Sequence, residues 1–154
     1  MRAETAFLAA IGDAFPEAVL LTPESCARAP DAKGAYALAI RLDDPALFTL
    51  RGTTHRFPPG CYVYAGSARG PGGIRARLRR HFRHEKKPHW HVDRLTGTAT
   101  RLWGFAIPGG SECEIAARLG RVAGFGHPLA GFGSSDCPVC VSHLLALDRE
   151  TVWM

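Results

Sequence analysis

Apolar positions along the chain fall into short blocks with two different periods. Phe7, Leu8 and Ile11 recur at helical spacing within residues 4–15, and Pro16 ends that run. Residues 22–33 carry two prolines and small side chains, and predict a linker. From 34 to 42 the pattern alternates. Tyr36, Leu38, Ile40 and Leu42 point one way, and Ala35, Ala37, Ala39 and Arg41 the other, which predicts a strand with a small-residue face. After an Asp43-Asp44-Pro45 turn, residues 47–51 predict a second strand, ended by Gly52. Pro58-Pro59-Gly60 turns the chain into a third strand at 61–65, of aromatic and β-branched type. Gly66, Gly70, Gly72 and Gly73 break it, and Ile74, Leu78 and Phe82 then recur every four residues, the stripe of an amphipathic helix.

Beyond that helix, residues 90–95 predict a short helix and 101–107 a strand. Residues 111–123 predict a helix with Ser111 as N-cap and Leu119 and Val122 on its apolar side. The stretch 124–137 is Gly-rich loop, and 143–147 is a closing apolar segment. Strands, helix, strand, helix in this order predict an α+β fold: a small, mostly antiparallel sheet flanked by helices. Residues 1–32 form an N-terminal helix and linker extension, and 33–154 the main domain.

Length and charge narrow the partners. At 154 residues the chain is one domain's worth, long enough to bury a core. The net charge is +5, and its distribution matters more than its size. Arg69, Arg75, Arg77, Arg79, Arg80, Arg83, Lys86 and Lys87 crowd one window with only Glu85 against them. A basic patch confined to one element is the electrostatic footprint of a phosphate-backbone partner. No apolar run reaches bilayer length and no signal peptide opens the chain, so a cytoplasmic protein without a membrane partner is expected. Five cysteines without such a signal point to reduced thiols or metal ligands rather than a disulfide framework.

Five groups of residues carry candidate chemistry. Tyr36 and Tyr64 lie on strands that can be neighbours, and a phenol can donate to a phosphate or pass a proton to water. On the following helix Arg77 and His81 are i and i+4 and share a face, with Arg75, Arg79 and Arg83 on the opposite flank. Arginine's planar fork matches phosphate oxygens, and His81 is expected to act as a general base or acid near neutrality. Glu112 and Glu114 open a helix, where a carboxylate can hold a divalent cation; Ser111 and Glu114 also have the spacing of a capping box. Cys137, Cys140 and His143, with Cys113 as a fourth ligand, have the composition of a zinc site; two small buried thiols are the alternative. Within His89-Trp90-His91-Val92-Asp93, a hydrogen-bonded His91–Asp93 pair would brace the active face, and Trp90 suits a structural role.

Several strings in order carry a resemblance. They are Gly34-Ala35-Tyr36, then Gly60-Cys61-Tyr62-Val63-Tyr64-Ala65-Gly66-Ser67-Ala68, with the two motif tyrosines 28 positions apart, and Arg77-Leu78-Arg79-Arg80-His81. After them come His89-Trp90-His91-Val92-Asp93, Glu112-Cys113-Glu114, Phe132-Gly133-Ser134-Ser135-Asp136-Cys137 and Cys140 with Ser142-His143-Leu144. Over residues 33–147 the chain resembles the GIY-YIG nucleases, and most closely their domain-of-unknown-function 123 branch. The resemblance implies phosphodiester hydrolysis by water with Mg2+ or Mn2+. Tyr36, Tyr64 and Arg77 would surround the scissile phosphate, and either Glu112 or Glu114 would bind the metal. His81 falls where the family often carries a tyrosine or histidine near the nucleophile. Ser67 stands where the family has a basic residue. Its asparagine after the metal helix has no match, and residues 132–136, ending on Asp136, are the candidates for that place. DNA is favoured as substrate, with Arg75, Arg79, Arg80, Arg83, Lys86 and Lys87 as the salt-dependent backbone grip. The alternatives are a nucleic-acid-binding accessory module without catalysis on the same scaffold, and a zinc-stabilised protein that binds another protein.

Overall fold

A computed structural model describes residues 2–133 and 140–147. Its centre is an antiparallel sheet of six strands in the order β1-β6-β2-β5-β8-β7. The strands are β1 (Val19–Leu21), β2 (Gly34–Leu42), β5 (Gly60–Ala68), β6 (Arg101–Pro108), β7 (Phe125–Gly126) and β8 (Leu144–Leu147). β3 (Ala46–Leu50) and β4 (Thr53–Phe57) form a separate hairpin. The helices are α1 (Arg2–Ala14), α2 (Gly73–Phe82), α3 (Asp93–Thr96) and α4 (Glu112–Gly120). The expected α+β class, an antiparallel sheet flanked by helices, is what the chain forms. No helix among the described residues is long and apolar enough to cross a membrane.

The alternation along β2 decides the layering. Tyr36, Leu38, Ile40 and Leu42 join one core with Ile74 and Leu78 of α2, Leu95 of α3 and Phe48 and Phe57 of the hairpin. Ala35, Ala37 and Ala39 join a second core with Phe7, Ile11 and Phe15 from the N-terminal helix region and Ile115 and Leu119 of α4. The small-residue face predicted for β2 therefore packs against bulky side chains from α1, α4 and β6. A strand covered on both sides is the usual consequence of central position in a two-sided sheet.

Three local expectations are corrected. Residues 22–33 are not a linker of irregular chain. They hold a 3-10 helix, Pro23–Arg28, capped reciprocally by Thr22 and Ser25. The chain after it runs over the start of α2, where the Ile74 and Arg75 amides donate to the carbonyls of Ala32 and Pro30, both at 3.0 Å. These bonds satisfy helix-end donors that would otherwise be orphaned. Gly73, at φ 58°, leaves no room for a side chain beside the Asp31 and Ala32 carbonyls, which explains a glycine there. Second, β4 occupies a stretch for which no strand was expected. Arg51 and Gly52 both have positive φ, at 51° and 82°, and make the tight turn joining it to β3. Third, the helix expected over 111–123 ends at Gly120, and Phe125–Gly126, expected as loop, adds β7 to the sheet.

Candidate functional site

Antiparallel pairing of β2 with β5 sets Tyr36 opposite Gly66 and Leu38 opposite Tyr64. The two tyrosines are thus two rows apart on the face that α2 covers. A side chain at position 66 would overlap the Tyr36 ring, so Gly66 is the floor on which that ring lies. His81, fully buried on α2, places Nε2 2.6 Å from the Tyr36 hydroxyl. The imidazole also lies against the rings of Tyr64 (centroids 6.3 Å apart) and Trp90 (5.9 Å).

Burial sets the protonation of this group. It pushes the Tyr36 phenol well above its ordinary value and Tyr64 up to about 12, with Arg77 working in the opposite direction on both. It lowers His81 to about 3, only partly opposed by Asp93. The expectation that His81 titrates near neutrality is therefore corrected: a fully desolvated imidazole flanked by Arg77, Arg80 and Lys86 stays neutral. Its Nδ1 has no hydrogen-bond partner among the described residues.

The arginines of α2 divide by what they meet. Arg80 makes a two-pronged ion pair with Asp93, at 2.8 and 2.9 Å. Asp93 also accepts from the backbone amides of His89 (2.7 Å) and Trp90 (2.9 Å). Those bonds overcome burial and hold its carboxyl at about 2. Asp93 thereby pins the 89–93 loop to α2. The expected His91–Asp93 bond is absent; His91 Nδ1 instead accepts from the Gly133 amide at 3.0 Å and lies against Phe48 and Phe132. Arg77 has no carboxylate partner among the described ion pairs. Its guanidinium lies 4.5 Å from the Trp90 ring centroid, with Arg80 4.2 Å from the same ring. Of the other basic residues, Arg75 donates to the Ala29 carbonyl (2.7 Å) and Lys86 to the carbonyls of His81 and Arg83 at the end of α2. Arg79, Arg83 and Lys87 are exposed.

The two glutamates also separate. Glu114 is exposed and pairs with Arg118 one turn on, at 2.8 Å. The expected capping box is not made, since Ser111 forms no side-chain cap. Glu112 turns inward. Its Oε2 is shielded from solvent and has no hydrogen-bond partner among the described residues. Arg69 stands 4.0 Å away, too far to hydrogen-bond. A carboxylate with one shielded oxygen and only a distant arginine beside it offers a ligand position to a divalent cation. Glu112 also raises the Tyr64 phenol electrostatically, which puts it on the tyrosine side of α4.

Beside Glu112, Cys113 Sγ lies 3.9 Å from His143 Nε2, and the donor atoms of Cys113, Cys140 and His143 all fall within 4.8 Å of one another. Asp136 and Cys137 lie outside the described residues.

What sequence reasoning missed is long-range. The Arg80–Asp93 clamp, the Gly66 floor and the Gly133–His91 bond join residues 13, 30 and 42 positions apart. The glycine in Tyr64-Ala65-Gly66 was the one local signal for any of them.

This arrangement, a buried Tyr–His pair beside Arg77, which has no carboxylate partner among the described residues, and a Glu112 oxygen that makes no hydrogen bond among them, defines a polar site built on an antiparallel α+β sandwich. The family model described as Domain of unknown function DUF123 matches residues 35–153, and the chain belongs to that family. No curated protein and no solved structure matches it.

Proposed function

We propose that the chain is a divalent-metal-dependent endonuclease that hydrolyses phosphodiester bonds in nucleic acid, with DNA favoured, and that it works in the cytoplasm. The observation that carries this reading is the convergence of Arg77, Tyr36, Tyr64 and His81 beside Glu112, whose Oε2 makes no hydrogen bond among the described residues. The resemblance of the motif strings to the GIY-YIG nucleases supports it, as does the basic window around α2.

Each residue has a role that follows from its surroundings. Arg77 is the cation left over for a scissile phosphate, because Arg80 is already held by Asp93. His81, neutral and dry, fixes the Tyr36 phenol; with Nε2 protonated it donates to that oxygen and leaves the phenol O–H to donate toward a phosphate oxygen. Tyr64, half-buried and held protonated, orients the attacking water. Glu112 would hold Mg2+ or Mn2+, which polarises the phosphate and stabilises the leaving oxygen. Glu114, exposed and paired with Arg118, is the less favoured of the two glutamates for this role. Arg79, Arg83 and Lys87 supply the exposed grip on the backbone.

Cleavage of labelled duplex, single-stranded, flap, four-way-junction and RNA substrates tests the reading, each with magnesium, manganese or chelator. Metal-dependent cutting is expected to fall by about 10²–10³ in Arg77→Ala, the cost of one charge-stabilising donor. It is expected to be lost in Glu112→Gln and kept in Glu114→Gln. Salt-sensitive binding with no cutting of any substrate would instead make the chain a non-catalytic binding module.

A further inference from the structure

Three soft donors meet at the junction of α4 and β8. Cys113 sits on the first turn of α4, while Cys140 and His143 precede β8. The Cys113 sulfur and the His143 nitrogen are 3.9 Å apart, and every pair among the three donor atoms lies within 4.8 Å. A tetrahedral zinc site with Zn–S near 2.3 Å and Zn–N near 2.0–2.1 Å has ligand–ligand edges of about 3.6 to 3.8 Å. The donors stand at those edges or a few tenths of an ångström to an ångström outside them.

The support around His143 has the form expected of a metal ligand. Its backbone is fixed on both sides, with its carbonyl accepting from Ala65 (2.8 Å) and its amide donating to the Phe132 carbonyl (2.9 Å). The ring bonds the Gly133 backbone, while Nε2 faces Cys113. A backbone group that bonds one ring nitrogen, fixes the tautomer and aims the other nitrogen is the recurrent partner of a metal-binding histidine. His143 is nearly fully buried, and the two cysteines are partly exposed, so an ion can enter.

We propose that Cys113, Cys140 and His143 bind one zinc ion, which fastens the first turn of α4 to the start of β8. Two thiolates and an imidazole select zinc over magnesium, whereas the carboxylate of Glu112 suits the hard cation. Were Glu112 also to hold its proposed cation, the chain would carry two chemically distinct metal positions on consecutive residues, Glu112 and Cys113. As the ion binds, each thiol loses its proton to solvent while its Zn–S bond forms. The zinc locks the backbone beside Glu112 and sets the direction from which that carboxylate enters the site. This inference does not rest on the hydrolytic reading, because zinc is measured without substrate.

The test is elemental analysis of the untagged full chain purified in reductant. Stoichiometric zinc is expected in the wild type and in Cys26→Ser and Cys61→Ser, whose thiols are buried in the two separate cores. Background zinc is expected in Cys113→Ser, Cys140→Ser and His143→Ala. Since those variants can fail to fold, chelator-stripped wild type is also titrated with Co2+. Tetrahedral ligand-field bands with a thiolate charge-transfer band at one equivalent are expected, together with protection of Cys113 and Cys140 from alkylation that chelator removes. Zinc unchanged in the three variants, cobalt spectra without a thiolate band, or alkylation indifferent to chelator would each overturn the proposal.

Discussion

The two faces of β2 share one backbone and both pack apolar cores, but they differ in the polar groups they bury. Behind Ala35, Ala37 and Ala39 the core holds Phe7, Ile11, Phe15, Phe105, Ile115 and Leu119, an apolar packing whose small strand residues leave room for large helix side chains. Behind Tyr36 the core also buries His81, whose Nδ1 has no hydrogen-bond partner among the described residues, and Asp93 beneath an ion pair. Buried polar groups of this kind weaken a core unless they are fully bonded, and their concentration beside one strand face is what the proposed function draws on. Both faces are apolar cores, and only the Tyr36 face adds a buried phenol, imidazole and ion pair to its packing.

The largest expected effect falls on the apolar face. Phe7→Ala should lower the unfolding free energy by about 3–5 kcal/mol, the cost of an emptied aromatic site. Cutting per folded molecule should not change. Denaturant titration paired with an activity assay on the folded fraction checks this, and a loss of specific activity would break the division between the faces.

On the polar face, Asp93→Asn should cost about 3 kcal/mol, because Arg80 keeps its charge and loses its partner. It should also reduce cutting, since the loop that carries Trp90 against Arg77 and Arg80 is no longer pinned. Equal stability loss with full activity would reduce Asp93 to a scaffold residue.

Acid sharpens the contrast further. His81 titrates at about 3 when folded and near 6.5 when unfolded, so the unfolded chain binds the extra proton between those values. Stability is therefore complete above about pH 6.5 and falls as pH drops toward 3, by at most about 1.4 kcal/mol per pH unit from this group. Asp93, at about 2 against an unfolded value near 3.9, adds its own loss below about pH 4. His81→Asn should flatten the upper part of this profile in pH-dependent chemical denaturation, whereas Phe7→Ala should shift the whole profile without changing its slope.

The smallest effect is expected at Glu114. Glu114→Ala removes only the exposed Arg118 pair, and should leave melting temperature and metal-dependent cutting within error of wild type. A clear loss of cutting would reverse the assignment of the two glutamates.

How much was legible beforehand follows from the same contrast. The alternation of residues 34–42 placed Tyr36 with Leu38, and the four-residue stripe placed Ile74 and Leu78 inward with Arg77 and His81 beside them. Both sides of the site were therefore visible, but not the bonds across it. The hairpin's second strand was missed because Thr53, Thr54 and Arg56 show little apolar alternation; its one buried member is Phe57. The 3-10 helix was missed because two prolines and small residues look like linker when the start of α2 they cover is out of view.

The sequence alone determined the periods, and with them the long central strands, the amphipathic helices, the basic window and the side of its own strand that each tyrosine takes, because backbone geometry fixes which side each successive residue takes. Only the tertiary structure decided that Asp93 holds Arg80 while Arg77 has no carboxylate among the described residues, that one Glu112 oxygen is shielded while Glu114 pairs outward, and that Cys113 meets His143 from 30 residues away. A charged or polar side chain takes its role from the partner and the burial it finds. Both are settled when distant elements pack, and neither has a local period to read.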